Sequence, residues 1–185
     1  KFGPAAPQLP GDGLTNAQPI QWDEDCLTLN VCTPSADNHK RPVMVWIHGG
    51  AYQNGTGAIP WYDGTRFSAE GDITVVTINY RLGALGFARI AEAENSGING
   101  ILDQLAALQW VHRNITYFGG DPDQVTIAGE SAGAFSVATL MTMAPDGDLF
   151  QRAIAQSGGG HHVITTNEAA QAAERLKNSL GVTTL

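Results

Sequence analysis

One serine of the chain stands in a setting that favours nucleophilic chemistry. Ser131 lies in the stretch GESAG, between Gly129 and Gly133. A G-x-S-x-G pattern between a buried strand and a helix places the serine hydroxyl at a sharp turn above the sheet, where it can attack a carbonyl carbon. A glycine-rich turn without any chemical role is the alternative, because the bare pattern also arises by chance. The flanking elements decide between these two interpretations.

The apolar pattern around Ser131 predicts the elements that such a turn requires. QVTIAGE (124–130) predicts a buried strand, and the small residues of SAGAFSVATLMTM predict a helix directly after it. Glycines at positions 129 and 133 leave room for a strained turn, in which larger side chains would collide. The context therefore favours a nucleophilic serine.

A second glycine-rich segment, HGGAY (48–52), follows another apolar run and predicts backbone donors for an oxyanion. Attack on an ester places negative charge on the carbonyl oxygen, and each preorganised N–H group stabilises the transition state by roughly 3 kcal/mol. Gly49 and Gly50 alone would more simply indicate a tight turn. Because both motifs end predicted strands, we interpret HGGAY as a donor loop.

The whole pattern predicts an α/β fold with a mostly parallel sheet and helices on both faces, since short apolar strands alternate with helices. Ligands bind such sheets at the carboxyl ends of the strands. Thr165 and Glu168 have the spacing of a capping box, and Gly181 is expected to end the last helix. The predicted strands lie in the segments 26–32, 41–50, 72–80, 124–130 and 152–160, and the predicted helices lie in the segments 101–115, 131–143 and 165–181.

Composition excludes several classes of function. The formal net charge is −8, and Lys and Arg form no cluster, which argues against binding to nucleic acid or to an anionic membrane surface. No apolar run approaches the roughly 20 residues that span a bilayer. The histidines have no metal-ligand spacing, so we expect no metal and no cofactor. Neutral or cationic small molecules are the partners that this composition favours.

Five longer segments carry a resemblance to a known family: EDCLTLNV (24–31), PVMVWIHGGAY (42–52), VVTINYRLGALGF (75–87), residues 99–134 and LFQRAIAQSGG (149–159). With them the chain resembles the type-B carboxylesterases, α/β-hydrolases that include cholinesterases and bacterial para-nitrobenzyl esterases. The resemblance implies an α/β-hydrolase fold, of which residues 1–185 form an N-terminal and middle part of one domain. It also implies hydrolysis of carboxylic esters through an acyl-enzyme intermediate.

The resemblance implies a role for each matched residue of the motifs. Ser131 corresponds to the nucleophile. The N–H groups of Gly50, Ala51 and Ala132 correspond to the oxyanion hole, and Ala51 stands where the family often has glycine. Glu130 corresponds to a carboxylate beside the nucleophile that supports the site without reacting.

Four further positions bear on structure rather than on chemistry. Arg81 and Asp103 match a structural ion pair of the family. Cys26 matches a cysteine that forms a disulfide in the family, but Ala6 stands where its partner would be. We therefore expect Cys26 to be a reduced thiol. The absence of a recognisable signal peptide and of this disulfide favours a cytoplasmic location.

A nucleophilic serine also needs a histidine and a carboxylate to complete a catalytic triad. The residue order formally allows a triad of Ser131, Asp146 or Asp148, and His161 or His162. However, the helix after Ser131 carries the chain roughly 18 Å away, which predicts that both aspartates lie at the opposite sheet edge. We expect the two histidines to line the cleft or to be exposed. The catalytic His and acid are therefore expected in a missing C-terminal part, and the alternative is an inactive fragment or a non-enzymatic interaction domain.

Overall fold

Five strands form one sheet in the computed structural model, which describes residues 2–9, 21–90, 93, 96–143 and 149–184. The strand order is β1-β3-β2-β4-β5, with β1 antiparallel to β3 and all other neighbours parallel. The mostly parallel sheet is therefore as predicted. Its strands are β1 (Leu29–Cys32), β2 (Arg41–Ile47), β3 (Thr74–Ile78), β4 (Gly120–Glu130) and β5 (Arg152–Gln156).

Five α-helices accompany the described part of the sheet. Two short 3-10 helices, Pro60–Tyr62 and Ile115–Phe118, complete the regular elements there. Every residue of β3 is buried, as expected for a central strand that is covered on both faces. The helices are α1 (Thr65–Gly71), α2 (Gly83–Phe87), α3 (Asn99–Asn114), α4 (Ala132–Met143) and α5 (Thr166–Leu180).

The edge strand β5 differs from the prediction of a covered strand. It pairs in parallel with β4, from Thr126 opposite Arg152 to Glu130 opposite Gln156. All five of its residues are nevertheless exposed, and Ile154 retains 45% of its accessible surface. Within the described residues, β4 and α4 are its main neighbours. The apolar pattern therefore predicts the strand correctly but not its exposure.

The first strand is shorter than its alternating pattern predicts. The N–H of Thr28 donates to the carbonyl of Cys26, at 2.7 Å, and this tight local turn delays the strand to Leu29. Cys26 is fully buried in the same apolar core as Ala6. Both cysteines are free thiols, and burial raises the pKa of the Cys26 thiol.

The predicted signals of the last helix are confirmed. The Thr165 hydroxyl accepts from the N–H of Glu168 at 3.2 Å, and the Glu168 carboxylate accepts from the N–H of Thr165 at 2.7 Å. Gly181 ends α5 in the left-handed conformation with φ +67°. This capping box satisfies N–H groups that a helix start leaves unpaired.

Candidate functional site

Ser131 occupies the turn between β4 and α4, as the sequence predicts. Its backbone is left-handed, with φ +53°, which L residues other than Asn and Asp rarely adopt. The Ser131 N–H donates to the carbonyl of Gln156 at 2.9 Å, and its carbonyl accepts from the N–H groups of Ala134 and Phe135. The turn is therefore fixed to both β5 and the first turn of α4.

The two glycines of the motif are required by close backbone contacts. A Cβ on Gly129 would lie 2.5 Å from the carbonyl of Gly133, and a Cβ on Gly133 would lie 2.0 Å from the carbonyl oxygen of Ile47. Side chains cannot occupy these spaces without moving the backbone. The crowding confirms the interpretation that both glycines make room for the turn.

The HGGAY loop lies directly against this turn. A Cβ on Gly49 would lie 3.2 Å from the Cβ of Ser131 and 2.7 Å from the carbonyl oxygen of Glu130. Gly50, Ala51 and Tyr52 then follow with φ values of +109°, +55° and +59°. Three consecutive left-handed residues turn the loop sharply beside the serine.

Two backbone N–H groups of this loop have no protein acceptor among the described residues. The Gly50 carbonyl accepts from the N–H groups of Gln53 and Asn54. Within the part of the chain that the structure describes, the N–H groups of Gly50 and Ala51 donate to no other protein atom. Ala132 is the first residue of α4, where an N–H group has no partner within the helix. Backbone N–H groups without a protein acceptor can bind an anion or an oxyanion.

His48 gives the loop its shape and is not positioned as a base. Its ring is fully buried and stacks on Tyr80, with a centroid distance of 4.4 Å. Burial lowers the pKa of His48 to about 4, so the imidazole is neutral at pH 7. Because a carbonyl can only accept, Nδ1 carries the proton and donates to the Gly49 carbonyl at 2.8 Å. The Tyr80 hydroxyl donates to the His48 carbonyl at 2.7 Å.

Two polar side chains that the sequence analysis missed hold the far side of the loop. Gln8 donates to the Gly55 carbonyl at 2.9 Å and accepts from the Gly55 N–H at 2.8 Å. Asn79, at the end of β3, accepts from the Thr56 hydroxyl and from the Gly57 N–H. No local pattern identifies these contacts, since Gln8 and Gly55 are 47 positions apart.

Glu130 lies beside the turn, where the resemblance placed it. Its carboxylate oxygen would lie 3.1 Å from a Cβ on Gly49. Tyr62 is close by: burial is the largest cause that raises the pKa of its hydroxyl, and the charge of Glu130 adds to this. The ring of Tyr62 packs on Trp46 at a centroid distance of 5.3 Å, whereas Trp61 is 68% exposed. Of these two loop aromatics, therefore, only Tyr62 is packed.

The predicted ion pair behind the site is present. Arg81 donates from Nε and Nη2 to the two carboxylate oxygens of Asp103, at 2.8 and 2.7 Å, and its backbone N–H adds a third hydrogen bond at 3.0 Å. Asp103 belongs to the buried face of α3. The pair ties the segment after β3 to α3, which is a structural task.

The histidines after β5, His161 and His162, lie near the start of α4. His162 stacks on Phe135 at a centroid distance of 4.6 Å, and His161 meets the same ring edge-on at 5.5 Å. Both are exposed, and among the described residues neither forms a hydrogen bond with Ser131 or with a carboxylate. The aspartates of the formal triad, Asp146 and Asp148, lie outside the described residues.

Other kinds of site find no support in the described ranges. His, Cys, Asp and Glu side chains form no group of three or more there that could hold a metal ion. None of the helices described is both long and apolar enough to cross a bilayer.

A cavity of about 300 Å³ opens beside the HGGAY loop, between α2 and α5. Its walls include Tyr52, Phe87, Arg89, Ile164 and Leu176.

Comparisons with known proteins agree with this arrangement. The model of the carboxylesterase family matches residues 1–184. A para-nitrobenzyl esterase from Bacillus subtilis (strain 168) is 45% identical over 186 residues, which cover 98% of this chain and 37% of that protein. A phenmedipham hydrolase from Pseudarthrobacter oxydans is 42% identical over 97% of this chain and 37% of its own length.

Solved structures show the same likeness in three dimensions. A carboxylesterase from Geobacillus stearothermophilus superimposes with a TM-score of 0.91 at 45% identity, covering 100% of this chain and 38% of that one. A thermophilic para-nitrobenzyl esterase gives a TM-score of 0.90 at 46% identity, over 99% of this chain and 38% of its own. The chain thus spans well under half the length of these relatives, and its α/β-hydrolase fold is confirmed. By sequence and by structure, the chain belongs to the carboxylesterase family.

Proposed function

We propose that the chain carries the nucleophile half of a serine carboxylic-ester hydrolase, as part of one α/β-hydrolase domain that includes residues 1–185. One observation carries the proposal. The left-handed Ser131 turn and the HGGAY loop meet at Gly49, which brings the serine beside backbone N–H groups that have no acceptor among the described residues. This is the arrangement that acyl transfer requires.

The reaction follows from these groups. Ser131 Oγ attacks the carbonyl carbon of the ester while a general base takes its proton, and the carbonyl oxygen becomes an oxyanion. The N–H groups of Gly50, Ala51 and Ala132 stabilise that charge, and the N-terminal end of α4 adds its dipole. Collapse breaks the bond to the alcohol, which leaves with the proton. Water then attacks the acyl-enzyme, releases the acid and regenerates Ser131.

The general base comes from outside the 185 residues in this account. Without a base, a serine hydroxyl is a weak nucleophile. His48 is buried in the loop, the other described histidines are exposed, and none of the five forms a hydrogen bond with Ser131 among the described residues. The carboxylesterase relatives are more than twice as long as this chain. We therefore propose that a histidine and a carboxylate from a further part of the protein complete the site.

The substrate proposed is a small-molecule carboxylic ester. Relatives named para-nitrobenzyl esterase and phenmedipham hydrolase favour small-molecule substrates. The net charge of −8 favours neutral or cationic esters over strongly anionic ones. No cofactor takes part in the mechanism proposed.

Ester hydrolysis by a protein that extends this chain tests the proposal. We expect it to hydrolyse para-nitrophenyl acetate, and Ser131→Ala to lower kcat/KM about a thousandfold or more, because the covalent step is lost. Ser157→Ala is the matched control, since Ser157 ends the neighbouring strand with φ +58°. Activity that survives Ser131→Ala would contradict the proposed nucleophile. A folded extended protein without any esterase activity would support the non-enzymatic alternative.

A further inference from the structure

Tyr52 ends the run of left-handed residues in the HGGAY loop and makes three contacts with two helices, α2 and α4. Its carbonyl accepts from the N–H of Gly83, at the start of α2, at 2.7 Å. Its ring packs on Phe87 of α2 at a centroid distance of 4.6 Å. Its hydroxyl accepts from the hydroxyl of Ser136 on α4 at 3.2 Å. Tyr52 therefore joins the donor loop to the helix that begins at the nucleophile.

The hydrogen bond to α4 continues into the core. Ser136 is fully buried, and its hydroxyl accepts from Nε2 of Gln104 on α3 at 3.1 Å. Gln104 is also fully buried, and its Oε1 has no hydrogen-bond partner among the described residues. A chain of three polar side chains thus runs from α3 through α4 to the donor loop.

The packing contacts of Tyr52 do not require its hydroxyl group. A phenylalanine at position 52 would keep the ring contact with Phe87 and the carbonyl bond to Gly83, neither of which involves the hydroxyl. Burial raises the pKa of the Tyr52 hydroxyl, which stays protonated at neutral pH. What the hydroxyl adds is a fixed distance between the loop and α4. In a loop that holds Ala51 at φ +55°, such a constraint opposes relaxation of the backbone.

We propose that Tyr52 is a positioning residue for ester hydrolysis: its hydroxyl, held through Ser136 and Gln104, keeps the N–H groups of Gly50 and Ala51 in register with Ser131. The inference rests on the proposed function. Oxyanion donors act only at a well-defined distance from the developing charge. Tyr52 touches no reacting atom in this account. It fixes the loop whose N–H groups do.

Kinetics of Tyr52→Phe in the extended protein tests this positioning. We expect kcat for para-nitrophenyl acetate to fall about tenfold with KM nearly unchanged, because donors that act in the transition state are displaced. Affinity for a trifluoromethyl ketone, which forms a charged hemiketal on the serine, should fall by a similar factor. Tyr117→Phe is the matched control, since Tyr117 is 76% exposed. A change below twofold in both quantities for Tyr52→Phe would overturn the proposal.

Two further measurements separate this proposal from the proposed function. Ser136→Ala should reproduce the loss, and combining it with Tyr52→Phe should add little, because both break the same hydrogen bond. Independent effects of the two substitutions would contradict the chain of contacts. Amide hydrogen exchange at Gln53 and Asn54 needs no activity, and Tyr52→Phe should speed it about tenfold or more. Unchanged exchange overturns the positioning even in a protein that hydrolyses no ester.

Discussion

The carboxyl ends of β4 and β5 carry two serines with nearly the same backbone conformation and very different surroundings. Ser131 has φ +53° and Ser157 has φ +58°. Ser131 meets the donor loop at Gly49 and opens α4 directly. Ser157 is exposed and leads into a segment without a helix until Thr166.

The two strand ends therefore share a left-handed serine but differ in what packs around it. At the end of β4, the glycines at 129 and 133 touch backbone atoms of neighbouring elements. After β5, a Cβ on Gly158 would still lie 2.9 Å from the Ser131 carbonyl oxygen, whereas a Cβ on Gly160, further along the chain, would meet nothing within 4 Å. In the function that we propose, the packed side supplies the nucleophile and its donors. The open side, with its exposed strand, is where we propose that the remaining catalytic groups approach Ser131.

Replacing one isoleucine on each strand by alanine should give the largest difference in the free energy of unfolding. Ile127 of β4 is fully buried, whereas Ile154 of β5 is 45% exposed. We expect Ile127→Ala to cost about 3 to 4 kcal/mol in the free energy of unfolding and Ile154→Ala less than about 1 kcal/mol. Urea unfolding of this chain measures both. A large cost at Ile154 would mean that the strand is covered.

Replacing one glycine in each region by alanine should also destabilise the packed region more than the open one, but by a smaller amount. Gly133→Ala gains about 1 kcal/mol in helix propensity but forces a Cβ to within 2.0 Å of the Ile47 carbonyl oxygen. The steric clash outweighs the gain in helix propensity, and we expect the free energy of unfolding to fall by about 2 to 3 kcal/mol. Gly160→Ala should change stability by no more than about 0.5 kcal/mol. Equal effects at the two positions would refute the difference in packing.

The buried imidazole of the packed side should make stability depend on pH. The pKa of His48 is about 4 in the folded chain, below its ordinary value of 6.5, so the unfolded chain binds the proton more readily. The stabilisation is complete above pH 6.5 and is lost as the pH falls towards 4. We expect about 2 kcal/mol to be lost between pH 7 and pH 5.

Urea unfolding across this pH range measures the loss. His48→Asn, which retains a side-chain donor for the Gly49 carbonyl, should flatten the curve. The same slope in His48→Asn and in the unaltered protein would show that other groups are responsible.

Local chemistry explains which parts of the fold and site could be predicted. The turn at Ser131, the glycines that it needs and the capping box at Thr165 each depend on residues within five positions. The link from Tyr52 to Ser136 spans 84 positions, and only the folded sheet brings the two together. The exposure of β5 could not be predicted either, since an apolar pattern reports what a strand can bury rather than what covers it.

Fluorophosphonate labelling distinguishes the two serines by their reactivity, because the reagent bonds covalently to an activated serine. Trypsin separates the two serines of the comparison, since Arg152 lies between them. In a protein that extends this chain, we predict an adduct on the peptide that contains Ser131, its loss in Ser131→Ala and its persistence in Ser157→Ala. An adduct on the Ser157 peptide, or equal labelling of Ser131→Ala, would contradict the account.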